Sequence, residues 1–444
     1  MQLAPAPGMT FHRLALSLSA LAAALVAGTV GCGRGGIQTS SDAAIVDVPD
    51  AQPLADASPP GLDAAAPGPD AAPQPVWQTT VASPLLGFDD PNVPLTFTSA
   101  TTFRVPFTNM RSGTKVQVVF RGDSDGGMTL TSAWIGRDLG GGSVENNTQL
   151  LFGGQPGASV APDVQVVSDP LDFAMVSGER YAVSFVASGL VPHALVDIGF
   201  QGWRAPGSQA DQATLSGASN DPTFRGVKWV AVFGLPTRAV AVLGDSIASG
   251  EASMGTDQRF IDLAQKALGY PVLDCARGGD GVVDTAYARI DRDVLPLPGL
   301  TDCLVELGTN DLHRADSAGV DAAVQFITNG LTNLYTRLGG AGLKVWGATI
   351  LPKGTLTANG EAARVQVNDW IMKSTLVVGV VDFAGAIADP ADPSKAAPGM
   401  LAHDGIHPLP AGHKAMAEAM VKAFGGTVAG GADAGVDAGS DAGR

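Results

Sequence analysis

From residue 238 to residue 425, five short apolar runs alternate with five amphipathic segments. The runs are AVAVLG, PVLDC, DCLVEL, LKVWGATI and VVGVVDF; the segments lie near 257–268, 282–294, 318–338, 360–375 and 410–424. In the third segment Val320, Val324, Ile327, Leu331, Leu334 and Leu338 recur at helical spacing, and Gly339-Gly340 follow as a stop signal. Strands that alternate with helices build a parallel sheet covered on both faces, because each crossover returns over the sheet. Ligands of such sheets sit in the crevice beyond the carboxyl ends of the strands. The constraint therefore says both what residues 236–425 fold into and where to look for chemistry.

The rest of the chain has a different character. Residues 77–235 carry short runs such as TTFRVPF, KVQVVF, DVQVVS, RYAVSFVA and HALVDIGF, rich in Val, Phe and Thr and bounded by Gly, Pro, Asp and Ser. That pattern predicts an all-β domain, a sandwich or jelly roll. Residues 33–76 are Asp, Ala and Pro without apolar periodicity, which predicts a disordered spacer. Residues 426–444 repeat Asp-Ala-Gly and read as a flexible tail.

Residues 1–32 read as a signal segment. His12 and Arg13 precede an apolar run from Leu14 to Val26, too short for a membrane span, and small residues lead to Cys32. A cysteine there, followed by Gly33, is similar to a bacterial lipoprotein processing site, with Thr29 where Leu is usual. The expectation is export, with Cys32 lipidated and the chain held at the cell envelope. Ordinary signal cleavage would instead leave it secreted or periplasmic.

The chain of 444 residues carries 27 Lys and Arg against 43 Asp and Glu, a net charge of −16. Without the low-complexity segments, residues 77–425 keep 34 acids against 24 bases. A nucleic-acid ligand needs a basic patch to neutralise phosphates, so this balance argues against one.

Polar or glycine-rich blocks stand at the strand ends. GDSIASG follows the first run, DCARGGDG the second, LGTND the third, and DGIHP follows the last strand and a loop. Singly each is weak: Ser246 reads as a turn serine, Asn310 as an Asx-turn residue and Gly279 as a turn glycine. Together, in this order, the blocks resemble the SGNH (GDSL-type) hydrolase superfamily over about 185 residues. The preceding β-domain, with LFGGQPGASVAPDVQVVSDPLDF, is similar to that of a two-domain branch described as arylesterase-like or carbohydrate acyl-esterases. There are two departures: Asp274 stands where the family usually carries Asn, and the Gly278-Gly279 pair leaves two choices of oxyanion glycine, of which the five-residue offset from Asp274 favours Gly279.

The resemblance implies a flavodoxin-like α/β hydrolase domain of five parallel strands in the order 2-1-3-4-5. It also implies roles. Ser246 attacks an ester carbonyl, His407 takes its proton, and Asp404 holds the far imidazole nitrogen. The backbone N–H groups of Ser246 and Gly279 and the side-chain amide of Asn310 form the oxyanion hole, Gly279 because a residue without Cβ lets substrate approach closely. No metal or cofactor is implied. The expected substrate is a small-molecule or polysaccharide ester with a short acyl group, acetyl among the candidates. The alternatives are a lipid-directed esterase or thioesterase with the same triad, and a surface glycan-binding protein with an inactive hydrolase domain, for which Trp134, Trp203 and Trp229 are available.

His403 and His413 are expected at solvent or a helix start, and His313 at the surface or the cleft rim. Met416, Met420 and Phe424 read as core. In the implied strand order Cys275 and Cys303 lie on strands that flank the first, about 9–10 Å apart. That exceeds the roughly 7 Å reach of a disulfide, so two buried free thiols are expected.

Overall fold

The computed structural model describes residues 73–85, 95–195, 201–255, 257–283 and 285–425. The signal segment, Cys32, nearly all of the spacer, the Asp-Ala-Gly tail and the end of the HALVDIGF run lie outside the described residues.

The α/β part holds one parallel sheet of five strands: β1 (Val240–Gly244), β2 (Val272–Asp274), β3 (Asp302–Glu306), β4 (Lys344–Ala348) and β5 (Gly379–Val381). Their spatial order is β2-β1-β3-β4-β5, and every neighbouring pair is parallel. β1 and β3 are wholly buried, which is why both read as unbroken apolar runs in sequence. The principal helices are α1 (Phe260–Leu268), α2 (Val320–Gly340), α3 (Ala358–Lys373) and α4 (Pro410–Ala423).

Alternate residues of β1 face opposite cores. Ala241 and Leu243 join α2 and α3 through Ile327, Leu331, Leu334, Val367 and Ile371. Val240 and Val242 join α1 and α4 through Phe260, Ile261, Met416 and Met420. α2 does not stop before Gly339; it runs through both glycines, and the chain reverses at Gly342, at φ +87°. Gly342 has the left-handed backbone that glycine tolerates, so it ends the segment where the earlier pair does not.

The strands described within residues 76–234 form two larger antiparallel sheets and a separate antiparallel pair of His193–Leu195 with Thr223–Arg225. In one sheet Val227–Gly234 lies between Val76–Ala82 and Gly113–Arg121. In the other, Thr96–Thr108, Arg180–Leu190 and Met128–Gly140 form the centre. Their shared core holds Phe103, Val105, Val118, Phe120, Ile135, Val183, Phe185, Val230 and Val232.

The central strands of the first antiparallel sheet, Gly113–Arg121 and Val227–Gly234, are buried on both faces. Val118 and Val230 point into the β core, whereas Val119, Trp229, Ala231 and Ala82 join the core containing α2 and α3. This double burial explains the near-continuous hydrophobicity of KVQVVF and VKWVAVFG. It also places Trp229 in a packed interior rather than on an exposed sugar platform. Cys275 and Cys303 are free and buried. Burial pushes both thiols up, Cys303 to about 12.

Candidate active site

At the end of β1 the chain must turn sharply from strand to helix. Gly244 permits it: a Cβ there would sit 2.5 Å from the Ala248 Cβ and 3.0 Å from Glu306 Oε2. Asp245 is buried and accepts the Ile247 N–H at 2.9 Å, which caps the one-turn helix Ser246–Ser249. Gly250, at φ +94°, closes that turn, and the Glu251 N–H bonds back to the Ser246 carbonyl at 3.0 Å.

The loop after β2 runs beside this turn. The Arg277 N–H bonds to the Gly244 carbonyl at 2.9 Å, and the Asp280 N–H bonds to the Arg277 carbonyl at 3.2 Å. Gly279 lies within that tight turn at φ +79°. A Cβ on it would meet open space, so the backbone angle, not a close contact within the chain, is what calls for glycine here. Asp274 has a specific partner: Arg259 Nη1 at 2.7 Å, while its other oxygen accepts the Ala276 N–H. That ion pair is a physical reason for an acid at this position.

After β3, Gly308 takes φ +115° and the 3-10 turn Thr309–Asp311 follows. Asn310 Nδ2 donates to the Asp280 carbonyl at 2.9 Å and approaches Asp245 Oδ2 at 3.4 Å. The loops carrying Ser246, Gly279 and Asn310 are thus tied together by the residues beside them in sequence.

The fourth block completes a hydrogen-bonded chain. Asp404 Oδ1 accepts the Ile406 and His407 N–H groups at 2.8 and 3.1 Å, which fixes the carboxylate within a tight turn. Its Oδ2 is 2.7 Å from His407 Nδ1, and His407 Nε2 is 2.8 Å from Ser246 Oγ. Pro410 begins α4 just after this turn, a position where its missing N–H costs nothing.

Several charged residues at the site were not singled out by the sequence reading. Glu251 Oε2 lies 3.2 Å from His407 Nε2. Lys353 Nζ donates to the Thr309 carbonyl at 3.1 Å. Glu306, at the end of β3, is buried under the turn that carries Ser246, with its Oε2 oxygen lacking a hydrogen-bond partner among the described residues. The only sequence signal for it was a carboxylate inside an otherwise apolar run.

The electrostatics follow from burial and from these pairs. Burial raises Asp245 to about 7, against the Ile247 N–H and the charges of Lys353 and His407. Burial also holds Glu306 well above the carboxylate range, and the neighbouring Asp245 adds to this. For His407 burial acts downward, but the bonds and charges of Glu251 and Asp404 outweigh it and raise the imidazole to about 9. Burial would raise Asp404, yet the bonds from His407 and the two N–H groups bring it below its ordinary value.

His403 and His313 are exposed. His413 lies at a helix start, in the first turn of α4, but does not face solvent. It is fully buried in α4, stacked on Phe260, and its Nδ1 accepts the Phe260 N–H at 3.3 Å. The helical register, not polarity, decides its place.

The geometry can move a proton from a hydroxyl to an imidazole braced by a carboxylate, beside amide donors. Residues 242–415 match the GDSL-like lipase/acylhydrolase family, less than half of the chain. Solved structures similar to the chain include a GDSL-like lipase from Bacteroides thetaiotaomicron, at 19% identity, covering 42% of this chain and 86% of that one, with a TM-score of 0.32. A second, TesA, is 25% identical over 42% of this chain and 97% of its own, with a TM-score of 0.33. A mutant of an acetyl-xylooligosaccharide esterase from Geobacillus Stearmophilus is 20% identical over 42% of this chain and 94% of its own, also at 0.33. No curated protein matches the chain.

Proposed function

We propose, because residues 242–415 match the GDSL-like lipase/acylhydrolase family, that this chain is a serine esterase acting through Ser246, His407 and Asp404. The observation that carries the reading is the unbroken chain of bonds, 2.8 Å from Ser246 Oγ to His407 Nε2 and 2.7 Å from His407 Nδ1 to Asp404. Neutral His407 takes the Ser246 proton as Oγ attacks the ester carbonyl. The carbonyl electrons collapse onto an oxyanion held by the Ser246 and Gly279 N–H groups and Asn310 Nδ2. The imidazolium then protonates the leaving alcohol, and water repeats the sequence to release the acid.

The substrate in this reading is a short acyl ester, such as acetyl, on a hydroxyl-rich alcohol such as a carbohydrate. A cavity of about 200 Å³ beside Asn310 supports it. Its wall carries Thr309, His313, Asp316, Lys353 and Thr357 beside Leu312 and Leu356, a mostly polar lining that can meet hydroxyl groups. Export with a lipid anchor at Cys32 belongs to the same proposal and rests on the N-terminal sequence pattern.

The test is turnover of acetyl and decanoyl p-nitrophenyl esters and of acetylated xylan, by the wild-type chain and by Ser246→Ala. Acetyl release should dominate, and Ser246→Ala should lose about 10⁶-fold in turnover. Near-wild-type hydrolysis by Ser246→Ala would overturn the mechanism. Preference for the decanoyl ester would overturn the substrate class.

A further inference from the structure

We propose that Glu251 is a further catalytic residue, whose carboxylate receives the Nε2 proton of His407 in a hydrogen bond whenever the imidazole is charged, and so sets the pH range of the reaction. The proposal rests on the reading of His407 as the base for Ser246.

The geometry is specific. One nitrogen, His407 Nε2, faces two oxygens: Ser246 Oγ at 2.8 Å and Glu251 Oε2 at 3.2 Å. Neutral imidazole with its proton on Nδ1 presents a lone pair at Nε2. That lone pair can accept the serine hydroxyl and is repelled by a carboxylate. Imidazolium presents an N–H at Nε2, which a carboxylate attracts. Glu251 therefore discriminates between the two states of the base. It disfavours the form that starts the reaction and favours the form made when the proton leaves Ser246.

The local fold puts Glu251 there. Gly250, at φ +94°, reverses the chain directly after the Ser246–Ser249 turn, and the Glu251 N–H anchors to the Ser246 carbonyl. A Cβ on Gly250 would fall 2.2 Å from Arg259 Cδ, so the reversal is tightly constrained. The nucleophile and the carboxylate consequently ride on one short turn, with the Glu251 side chain 61% exposed where it reaches His407.

The other charged groups around His407 do not duplicate this role. Asp404 lies on the Nδ1 side, within His407's own turn, and holds the ring in both states. Asp245, at the end of β1, acts on His407 only through its charge. Lys353, after β4, donates to Thr309 and acts through its charge on Asp245, Glu306 and Asp404. The raised imidazole, near 9, accords with carboxylates on both sides of the ring.

In the reaction the proton leaves Ser246 Oγ for Nε2 while the new Oγ–carbon bond forms. It then passes from Nε2 to the leaving oxygen as the carbon–oxygen bond breaks. Glu251 gains no proton overall; it supplies an acceptor beside Nε2 during the interval in which the ring is charged.

The experiment is the pH profile of kcat/KM on p-nitrophenyl acetate for the wild-type chain, Glu251→Gln and Glu251→Asp. The acid limb of Glu251→Gln should move down by about half to one pH unit, the effect of removing a nearby opposite charge that is largely exposed and screened. The two profiles should then cross, the variant faster at neutral pH and slower on the alkaline plateau, where its base is weaker. Glu251→Asp should restore part of the wild-type limb. A Glu251→Gln profile that coincides with the wild type, or differs by one factor at every pH, would overturn the proposal. The nitrogen-15 titration of His407 in the intact chain supplies a measurement independent of turnover. Its midpoint should fall in Glu251→Gln, and an unchanged midpoint also overturns the proposal. Fluorophosphonate labelling of wild-type Ser246 separates the two readings, since an unlabelled serine removes the triad whatever Glu251 does to the titration.

Discussion

Lys228 Nζ and Asp293 Oδ1 lie 2.6 Å apart with both side chains fully buried, where the antiparallel sheet meets the α/β layer. Asp293 also receives Arg289 at 3.0 Å and Arg292 at 2.9 Å. Arg289 in turn holds Asp280, with its Nε 2.8 Å from Oδ2, and the Asp280 carbonyl accepts Asn310 Nδ2. A line of buried charge thus runs from a strand of the β part to the proposed oxyanion amide.

The two partners of this pair should not be equivalent. Lys228→Met leaves Asp293 with two guanidinium groups. Asp293→Asn leaves a buried ammonium whose described acceptors are the Ser83 and Pro84 carbonyls and the new amide. An uncompensated buried charge costs about 3–5 kcal/mol. Urea unfolding should therefore show Asp293→Asn as the more destabilised variant, with a loss in that range. Equal losses in the two variants would refute this account of the network.

Asn310→Ala tests the far end of the same line. An oxyanion donor acts on charge that develops only in the transition state, so kcat should fall by about 10²–10³ with KM little changed. A rise in KM at constant kcat would instead assign Asn310 to ground-state binding.

The parallel sheet was legible because its physics is local. Strands buried on both faces are unbroken apolar runs, and the helices that cover them carry one apolar stripe. The order of strands and the blocks at their ends followed from resemblance and from the rule for α/β crevices. What escaped notice depends on contacts between distant segments. Lys228 sits in an apolar strand and reads as an oddity until Asp293 is brought to it. Glu251 is an exposed loop acid in the fold too, but the Gly250 reversal gives it a partner far along the chain. His413 stands at a helix start, one of the two places expected of it, but the packing of α4 on Phe260 buries it there. For Gly279 the sequence argument was close approach of substrate; the fold adds a second requirement, a positive φ, that the sequence alone does not display.

Asp404→Asn addresses the orientation of the base. The amide oxygen can keep the N–H bonds from Ile406 and His407, so the turn should survive. The nitrogen then faces His407 Nδ1 as a donor and favours the tautomer that carries its proton on Nε2, where it cannot accept from Ser246. Turnover should fall by about 10⁴ at an unchanged melting temperature. Loss of both activity and melting temperature would mean that Asp404 chiefly supports the turn.

Glu306→Gln tests the buried carboxyl beneath the nucleophile. Burial raises Glu306 well above the ordinary carboxyl value of 4.5. In the window between those values the folded chain holds a proton that the unfolded chain has released. Stability contributed by this group is therefore present below the unfolded value and lost as pH rises toward the folded one. Each such proton gives a slope of about 1.4 kcal/mol per pH unit. Glutamine has nearly the same shape and cannot ionise. The variant should match the wild type near pH 4.5 and become the more stable of the two as pH rises through 6 and 7, a crossover that urea unfolding at several pH values would resolve. Parallel stability curves would mean that Glu306 is already ionised in the fold, and Lys353, whose charge acts on it, would then be the first residue to examine as its counterion.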